Sequence, residues 1–410
     1  MKILYITSAW MSFRDVLYNG KEDSNGMPAF ENVLKKLINK GYEIDMLVYN
    51  LFQEDFKKQL NIKSTWLKKI NIIRVENIET RNGILKPVYM INGFYKIYKA
   101  TKDILKENKY DFIYGHGALA DAASLVARKY EIPFGSRRYG ETLWDLIEKK
   151  GYMYAFFSHI EQIIGYKIKK SFLIATNDGS NMDKCYDKIC KNKNNYRFYH
   201  LVNGVDTINL TLDEKIKICS DITKGRQYIL YVARITNWKR QDLAVQLVYY
   251  LMKNNVDIDL LLIGQSDSNG YLEKIKDIAA KLGVSERVKY LGIKNKKEIY
   301  ALAENACANL FFYDVCNLGN VFHETLSVGG IVIGKNDGSL DKFIINNENG
   351  FLINNIQESV LIIKKLISNK EYYNEIKKRA IETSKMKMLS WDDRSNIELE
   401  IIKNAITAKG

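Results

Sequence analysis

The chain has 410 residues, 46% of them hydrophobic and 12% aromatic, with only three prolines, which excludes a disordered, collagen-like or low-complexity protein. This length predicts two or three domains with substantial apolar cores. The net charge of +14 is concentrated in residues 1–200, which carry 33 basic and 22 acidic side chains, so nucleic acid, an anionic membrane surface and a phosphate-bearing substrate are all open as partners.

The first half of the chain alternates short apolar runs with lysine-faced helical stretches. Six runs are expected to be buried strands: Ile3–Ser8, Glu43–Tyr49, Asn71–Val75, Phe112–Tyr114, Pro133–Gly135 and Phe172–Thr176. The alternation is typical of a parallel sheet covered by helices on both faces. Gly26 precedes a predicted helix over Ala29–Lys40, and a glycine at that position allows backbone amides to approach an anion, although a structural turn explains it equally well.

A second series of the same kind follows the strand and turn at Phe198–Asp206 and the polar segment Thr207–Lys224. Its apolar runs are Tyr228–Ala233, Ile258–Gly264, Val288–Gly292, Ala308–Phe312 and Ile331–Gly334. We therefore predict an α/β protein with two doubly wound parallel-sheet domains, 1–205 and 206–387. A ligand is expected in a central cleft where the carboxyl ends of both sheets meet.

Arg234 and Lys239 follow the first strand of the second series, and the next helix is predicted to begin at Lys239. A fork of guanidinium donors and a point charge beside a helix start suit a diphosphate. Two solvated cations in a loop are the alternative. No glycine-rich dinucleotide fingerprint or P-loop motif accompanies them, which argues against a dehydrogenase or a P-loop nucleotidase.

A second candidate segment follows the predicted strand Ala308–Phe312. Gly319 and Asn320 stand at a predicted helix start, where free amides bind phosphate oxygens, and Glu324 lies one turn inside the helix. A carboxylate at that position accepts hydrogen bonds from both hydroxyls of a ribose, or alternatively only complements the helix dipole.

With these residues in view, the chain resembles the retaining, GT-B-fold glycosyltransferases of family 4 over nearly its whole length. The resemblance is carried by the Gly26 loop, His116 in Tyr110–Gly117, the turn Asn203–Asp206, Arg234 with Lys239, Leu282-Gly283 leading to Val288–Gly292, the Glu324 segment and Asn349–Leu352. In this fold the last helix returns to the first domain, so residues 388–410 are expected there.

The resemblance implies a role for each matching residue. Arg234 and Lys239 would hold the diphosphate and stabilise it as the leaving group, and Glu324 would bind the ribose. The backbone around Gly292 would hold the base, and His116 would reach the donor sugar. Gly26 would lie near the diphosphate or the acceptor. Fixed cations and amides stabilise such a leaving group, so neither a metal nor another cofactor is expected.

One position departs from the family pattern. The family usually has two glutamates eight positions apart, and the first of them is Cys316 here. Since that carboxylate normally contacts the donor sugar, the identity of the sugar stays open. Backbone amides from Cys316 through Asn317 to Asn320 are expected to replace it, with Asp314 as a further candidate.

The acceptor is expected on the basic first half. Arg137 and Arg138 stand at a strand end where they could meet an acceptor phosphate or form a structural ion pair. Apolar and basic positions interleave in Phe56–Lys69, Tyr152–Phe157 and Ile163–Lys170, which favours peripheral contact with an anionic membrane or, equally, ordinary helices covering a sheet.

The sequence thus predicts a glycosyltransferase that moves a sugar, from a UDP-sugar by preference, to a lipid-linked or growing surface glycan with retention of configuration. A protein O-glycosyltransferase of the same fold and a nucleic-acid-binding protein are the alternatives. The five cysteines contain no CxxC pair and no apolar run is long enough to span a membrane, so we expect a cytoplasmic protein, at most resting on the inner face of the membrane.

Overall fold

The computed structural model describes residues 1–10, 12–24, 26–51, 53–75, 78, 85–190, 196–206, 208–267 and 270–408. The chain divides into two compact units. Unit 1 comprises Met1–Asn203 with Trp391–Gly410, and unit 2 comprises Gly204–Ser390. These boundaries differ by a few residues from the predicted divisions after 205 and 387.

In the described part of unit 1, seven parallel strands form one sheet in the order β3-β2-β1-β4-β5-β6-β7. The strands are β1 (Lys2–Ser8), β2 (Glu43–Tyr49), β3 (Asn71–Arg74), β4 (Phe112–His116), β5 (Phe134–Arg138), β6 (Phe172–Thr176) and β7 (Arg197–Leu201). The interior of β1 and all of β4, β5 and β6 are buried, because helices cover both faces of the sheet.

The helices of unit 1 pack apolar residues into three hydrophobic clusters against this sheet. They are α1 (Phe13–Tyr18), α2 (Pro28–Asn39), α3 (Gln53–Phe56), α4 (Lys86–Glu107), α5 (Ala122–Lys129), α6 (Leu143–Lys150), α7 (Tyr152–Ser158), α8 (Ile160–Lys167) and α9 (Met182–Ile189).

In the described part of unit 2, six parallel strands form a sheet in the order β10-β9-β8-β11-β12-β13. They are β8 (Tyr228–Val232), β9 (Asp259–Ile263), β10 (Val288–Tyr290), β11 (Ala308–Phe311), β12 (Val332–Lys335) and β13 (Phe351–Ile353). The helices are α10 (Leu212–Thr223), α11 (Gln241–Lys253), α12 (Tyr271–Lys281), α13 (Lys296–Asn305), α14 (Asn320–Ser327), α15 (Glu358–Ser368) and α16 (Lys370–Lys387).

The last helix, α17 (Trp391–Thr407), belongs to unit 1. It packs against α2, and its residues Leu399 and Ile402 lie in the same core as the strands β1 and β2. Chain segments far apart in sequence therefore complete one hydrophobic core.

Each sheet reverses its strand order at one place, between β1 and β4 in unit 1 and between β8 and β11 in unit 2. In open parallel sheets the crossover connections leave in opposite directions at such a point, so a crevice forms outside the carboxyl ends of the two central strands. The segments that follow β8 and β11 are therefore where a ligand of unit 2 is expected.

Candidate functional site

Arg234 lies in the loop after β8, and backbone contacts fix the main chain around it. Gln241 at the start of α11 donates from Nε2 to the carbonyl of Arg234 at 2.8 Å, and the amide of Ile235 donates to the carbonyl of Gln265 at 2.9 Å. The Arg234 side chain is exposed at the carboxyl end of β8. Because the main chain is fixed and the side chain is exposed, the guanidinium of Arg234 is available to an anion in the crevice.

Gly264 allows the close approach that holds this loop, and the sequence reasoning had not selected it for the site. Its φ is +144°, and a Cβ built there would lie 2.0 Å from the carbonyl oxygen of Ala233. Only glycine fits where the ends of β8 and β9 approach so closely. The signal in the sequence is a glycine directly after an apolar run.

Lys239 follows Arg234 on a short 3-10 turn, Asn237–Lys239, and is half-buried. Its ammonium lies over two aromatic rings, 4.0 Å from the ring centre of Trp238 and 3.5 Å from that of Tyr313. The hydroxyl of Tyr231 donates to the carbonyl of Lys239. Rings from the turn and from the segment after β11 thus hold this cation at the carboxyl edge of the sheet.

The start of α14 follows β11 on the other side of the reversal point. Gly319 is the N-cap in extended conformation, and no side chain caps the helix in the part of the chain that the structure describes. A Cβ on Gly319 would meet no atom closer than the carbonyl oxygen of Cys316 at 3.8 Å, an ordinary contact, so packing does not require glycine there. A helix start without a side-chain cap suits an anion, and Asn320 is the first residue of this helix.

Cys316, where the family usually has glutamate, has left-handed backbone with φ +60°. The side chain of Asn317 is fully buried, so it cannot contact a nucleotide-sugar. Only the backbone amide of this residue remains as the group predicted to contact the sugar. Its Oδ1 accepts from the amide of Tyr313 at 3.1 Å, and its Nδ2 donates to the carboxylate of Asp337 at 2.8 Å. Asn317 thus shapes the loop by joining the ends of β11 and β12.

Asp314, the further sugar-binding candidate, pairs with two cations. Its carboxylate lies 3.0 Å from Lys335 and 3.4 Å from Arg240. Both pairs are partly exposed, so neither holds the carboxylate firmly.

Glu324 lies one turn inside α14, 15% exposed, beside two charged groups that the sequence reasoning had not assigned to the site. The ammonium of Lys296 is 3.7 Å from Oε1 of Glu324 and 2.6 Å from the carboxylate of Asp206. Burial raises the pKa of Glu324 to about 7, although Lys296 acts in the opposite direction. When ionised, this carboxylate can accept hydrogen bonds from two hydroxyl groups.

Gly292 follows β10, and its carbonyl accepts from the amide of Gly264 at 2.8 Å. The hydroxyl of Tyr290 donates to the carbonyl of Gly264 at 2.9 Å, while Ile293 is 70% exposed. The segment expected to hold a base therefore lies next to the loop that carries Arg234.

His116 ends β4 in unit 1 and is buried against the ring of Tyr5, with centroids 4.1 Å apart. Its Nδ1 is 2.8 Å from the hydroxyl of Tyr139, and Nε2 has no hydrogen-bond partner among the described residues. Burial, followed by the charge of Arg137, lowers the pKa of His116 well below its ordinary 6.5. The imidazole is therefore neutral, with one nitrogen unused.

Gly26 lies before α2 and is exposed, with φ +79° and open space where a Cβ would be. The first turn of α2 carries Glu31, whose Oε2 accepts from the amide of Ser24 at 2.7 Å and whose Oε1 is 2.5 Å from Lys35. The loop is therefore accessible, but a paired carboxylate already lies beside it.

The interpretation of Arg137 and Arg138 as ligands of an acceptor phosphate needs correction. Both side chains are fully buried in β5. Arg137 pairs with Glu398 of α17 at 3.5 Å, and Arg138 pairs with Asp121 and, at 2.7 Å, with Glu141. Removing any buried carboxylate would leave an uncompensated charge, so these arginines are structural ion pairs.

Two of the three segments expected to contact a membrane place some of their residues in the interior of unit 1. Trp66 and Leu67 belong to the core of unit 1, and Ile163, Tyr166 and Lys170 are buried as well. The third, Tyr152–Phe157, exposes its apolar side chains. Among the helices that the structure describes, none is both long and apolar enough to cross a membrane.

Comparisons with known proteins give a family match in unit 2 and a fold match over the chain. Residues 213–383 match the family model of glycosyl transferases group 1. The matched stretch lies within unit 2 and contains Arg234, Lys239 and Glu324. No curated protein sequence is significantly similar to the chain.

Three solved structures share the fold over nearly the whole chain. Sucrose-phosphate synthase from Thermosynechococcus elongatus has a TM-score of 0.73 at 15% identity, with 100% of each chain covered. Anabaena Alr3699/HepE in complex with UDP has 0.70 at 15%, with 98% of this chain and 100% of that chain covered. WaaG, a glycosyltransferase involved in lipopolysaccharide biosynthesis, has 0.68 at 12%, with 97% and 99% covered. The two-sheet α/β architecture is thus that of the GT-B glycosyltransferase structures.

Proposed function

We propose that the chain is a glycosyltransferase that moves a sugar from a nucleotide-diphosphate sugar to an acceptor. One arrangement in unit 2 carries the proposal: Arg234 and Lys239 after β8, with the start of α14 and Glu324 after β11, at the point where the strand order reverses. Two cations, amides and a carboxylate are what a nucleoside diphosphate needs at one site. The family-model match over the same residues supports it.

UDP is the favoured nucleotide. The structural similarity to Anabaena Alr3699/HepE, solved with UDP, supports this choice, and the backbone around Gly292 would hold the base. Cys316 stands where the family usually has a glutamate that contacts the sugar, and its thiol supplies no carboxylate. Amides at the start of α14 would contact the sugar instead.

For the chemical step we propose departure of the diphosphate, stabilised by Arg234 and Lys239, with the acceptor attacking the same face of the sugar. The C–O bond to the leaving phosphate breaks, the acceptor oxygen bonds to the anomeric carbon, and the departing phosphate takes the acceptor proton. The configuration is then retained. No cation beyond the two side chains is needed for this charge, so we expect the reaction to be independent of metal and of other cofactors.

We propose that His116 of unit 1 acts as a neutral hydrogen-bonding group toward the sugar; its ring is buried, and its buried Nε2 has no hydrogen-bond partner among the described residues. We propose a lipid-linked or growing surface glycan as the acceptor, in the cytoplasm. The similarity to WaaG and the basic character of unit 1, with 36 basic and 26 acidic side chains, support this acceptor class.

The decisive experiment is calorimetric titration of the chain with UDP, GDP and ADP, with and without EDTA. Arg234→Ala should weaken binding of the preferred diphosphate at least tenfold, because a charged hydrogen bond is worth ~1.5–3 kcal/mol. Arg287→Ala is the matched control, since Arg287 is in the same unit and pairs with Asp257 at the amino end of β10. Equal binding by both variants would refute the diphosphate site.

Product analysis tests the chemistry. With a hydrolysable sugar donor, NMR of the released sugar should show retained configuration, and mass spectrometry should find no glycosyl group bound to the protein. A covalent glycosyl-enzyme, or inversion at the anomeric carbon, would contradict the proposed step.

A further inference from the structure

A surface of unit 1 exposes large apolar side chains that no part of the proposed reaction uses. It is formed by α4 and α7 and is called here the α4–α7 surface. Its members are each 50–64% exposed: Val88, Ile91, Tyr95, Met153, Tyr154 and Phe157. Large apolar side chains exposed on neighbouring helices are typical of a binding surface on a globular protein.

The two helices lie side by side. Tyr89 and Phe94 on α4 and Phe156 on α7 pack against the same core of unit 1. Lys86 at the start of α4 is close enough to His159, just after α7, to reinforce the lowering of that histidine's pKa to about 4, which burial mainly causes. The two helices therefore adjoin one another, and each exposes apolar side chains to solvent.

The spacing along α4 makes this face unusual. Val88, Ile91 and Tyr95 recur at intervals of three and four residues and so lie along one side of the helix, while Met90 and Ile97 point to the core. A surface helix normally has polar residues on its outer side. Here the helix is apolar on both sides for its first three turns.

Lysines outnumber carboxylates along the two helices, although Lys149 pairs with Asp145 of α6 at 2.7 Å. Residues 85–102 contain four lysines and residues 149–160 contain two, and neither stretch contains aspartate or glutamate. The ammonium of Lys150 lies 4.7 Å from the ring centre of Tyr154. Apolar and aromatic side chains that enter the acyl boundary, with lysines at the level of the headgroups, are the pattern of a helix lying in a membrane interface.

We infer that the α4–α7 surface inserts into a bilayer rich in anionic lipids. The inference rests on exposure and charge in unit 1 and is independent of the proposed transfer reaction. The positive charge of this surface favours a bilayer over a second copy of the chain. A second copy would place its own lysines against the lysines of this surface, whereas an anionic leaflet attracts lysines.

The test is co-sedimentation with vesicles of phosphatidylcholine containing 30% phosphatidylglycerol, compared with phosphatidylcholine alone. The wild-type chain should bind the anionic vesicles at least tenfold more strongly. Replacing Val88, Ile91 and Phe157 together by serine should reduce that binding at least tenfold, since each loses most of the gain from a buried apolar side chain. The variant's thermal unfolding should match the wild type because these side chains are exposed.

The matched control replaces Leu212, Ile216 and Leu361 by serine, since these residues are equally exposed but lie in unit 2. It should bind vesicles like the wild type. As a second readout, tryptophan in Phe157→Trp should be quenched by lipids brominated in the acyl chain. Undiminished binding of the α4–α7 variant, or no quenching, would overturn the inference. So would a wild-type dimer that the serine variant converts to a monomer without loss of vesicle binding.

Discussion

At Glu324, burial and a neighbouring cation act on one carboxyl group in opposite directions. Its pKa of about 7 means that ionisation costs stability in the folded state, and this cost develops as the pH rises from the ordinary value of 4.5 through 7. The groups that face it are Lys296 and Tyr300 from α13 and Asp206 from the segment before α10. His323 beside it is directed to the carbonyl of Gly319.

A pH dependence of nucleotide binding follows from this arrangement. The ionised carboxylate accepts both ribose hydroxyls, so affinity for UDP should rise as the pH increases through about 7. Lys296→Met removes the cation that favours ionisation and should move this rise to higher pH. Lys297→Met, the exposed neighbour that pairs with Glu214, should not move it.

Calorimetric titration from pH 5.5 to 8.5 checks this, with Glu324→Gln as the reference, because the terminal phosphate of UDP itself titrates near pH ~6. The profiles of the wild type and Glu324→Gln should differ around pH 7. If the pH profiles of the wild type and Glu324→Gln coincide, Glu324 does not bind the ribose. If the affinity of Lys296→Met and of Lys297→Met rises at the same pH, Lys296 does not favour the ionisation of Glu324.

Two glycines near the site should respond differently to alanine. Gly264→Ala places a Cβ against the carbonyl of Ala233 at positive φ and should lower the free energy of unfolding by about 2–4 kcal/mol. Gly319→Ala meets only an ordinary contact and should change it by less than ~0.5 kcal/mol, yet weaken UDP binding severalfold. Urea denaturation and calorimetry measure both quantities; equal stabilities of the two variants would contradict the close approach at Gly264.

At the scale of elements, the apolar runs predict most of both sheets because buried parallel strands need unbroken apolar sequence. The run Glu43–Tyr49 is β2 and Phe172–Thr176 is β6 without change. The strand β13 was not among the predicted runs, because its apolar run Phe351–Ile353 is enclosed by Asn349-Gly350 and Asn354-Asn355, which are typical of turns.

The site was only partly predictable for a different reason. Arg234 and Glu324 follow strands, so their positions can be read from local patterns. Lys296 begins a helix elsewhere in the sequence and meets Glu324 only through the packing of α13 against α14. Arg137 illustrates the reverse: its partner Glu398 lies on the last helix, and no local pattern shows that the arginine is buried.

Substitutions on the buried face of α17 should therefore lower the free energy of unfolding, whereas substitutions on its exposed face should have little effect. Glu398 accepts from the hydroxyl of Tyr114 and pairs with Arg394 at 3.1 Å and with Arg137. Glu398→Ala leaves two buried guanidinium groups without this carboxylate and should cost about 3–5 kcal/mol of unfolding free energy. Glu400→Ala, two residues on and paired only at the surface with Lys403, should cost less than ~1 kcal/mol by urea denaturation. Similar losses for both would contradict the structural role of this pair.

At the scale of the whole molecule, the groups proposed to hold the nucleotide all lie in unit 2, whereas the larger positive charge lies in unit 1. UDP should therefore protect backbone amides from hydrogen exchange first at the starts of α11 and α14. Peptides from β2 and α4 of unit 1 serve as the internal control in the same mass-spectrometric experiment. Protection confined to unit 1 would place the nucleotide elsewhere.

The return of α17 to unit 1 also sets an order of events during synthesis. The contact between Tyr114 and Glu398 joins residues 284 positions apart, and the whole of unit 2 lies between them in the chain. On the ribosome, unit 2 is complete before the helix that closes the core of unit 1 has been made. Until then Arg137 lacks its carboxylate and the core face beside α2 lacks its cover. The core of unit 1 is therefore completed only after α17 has been synthesised.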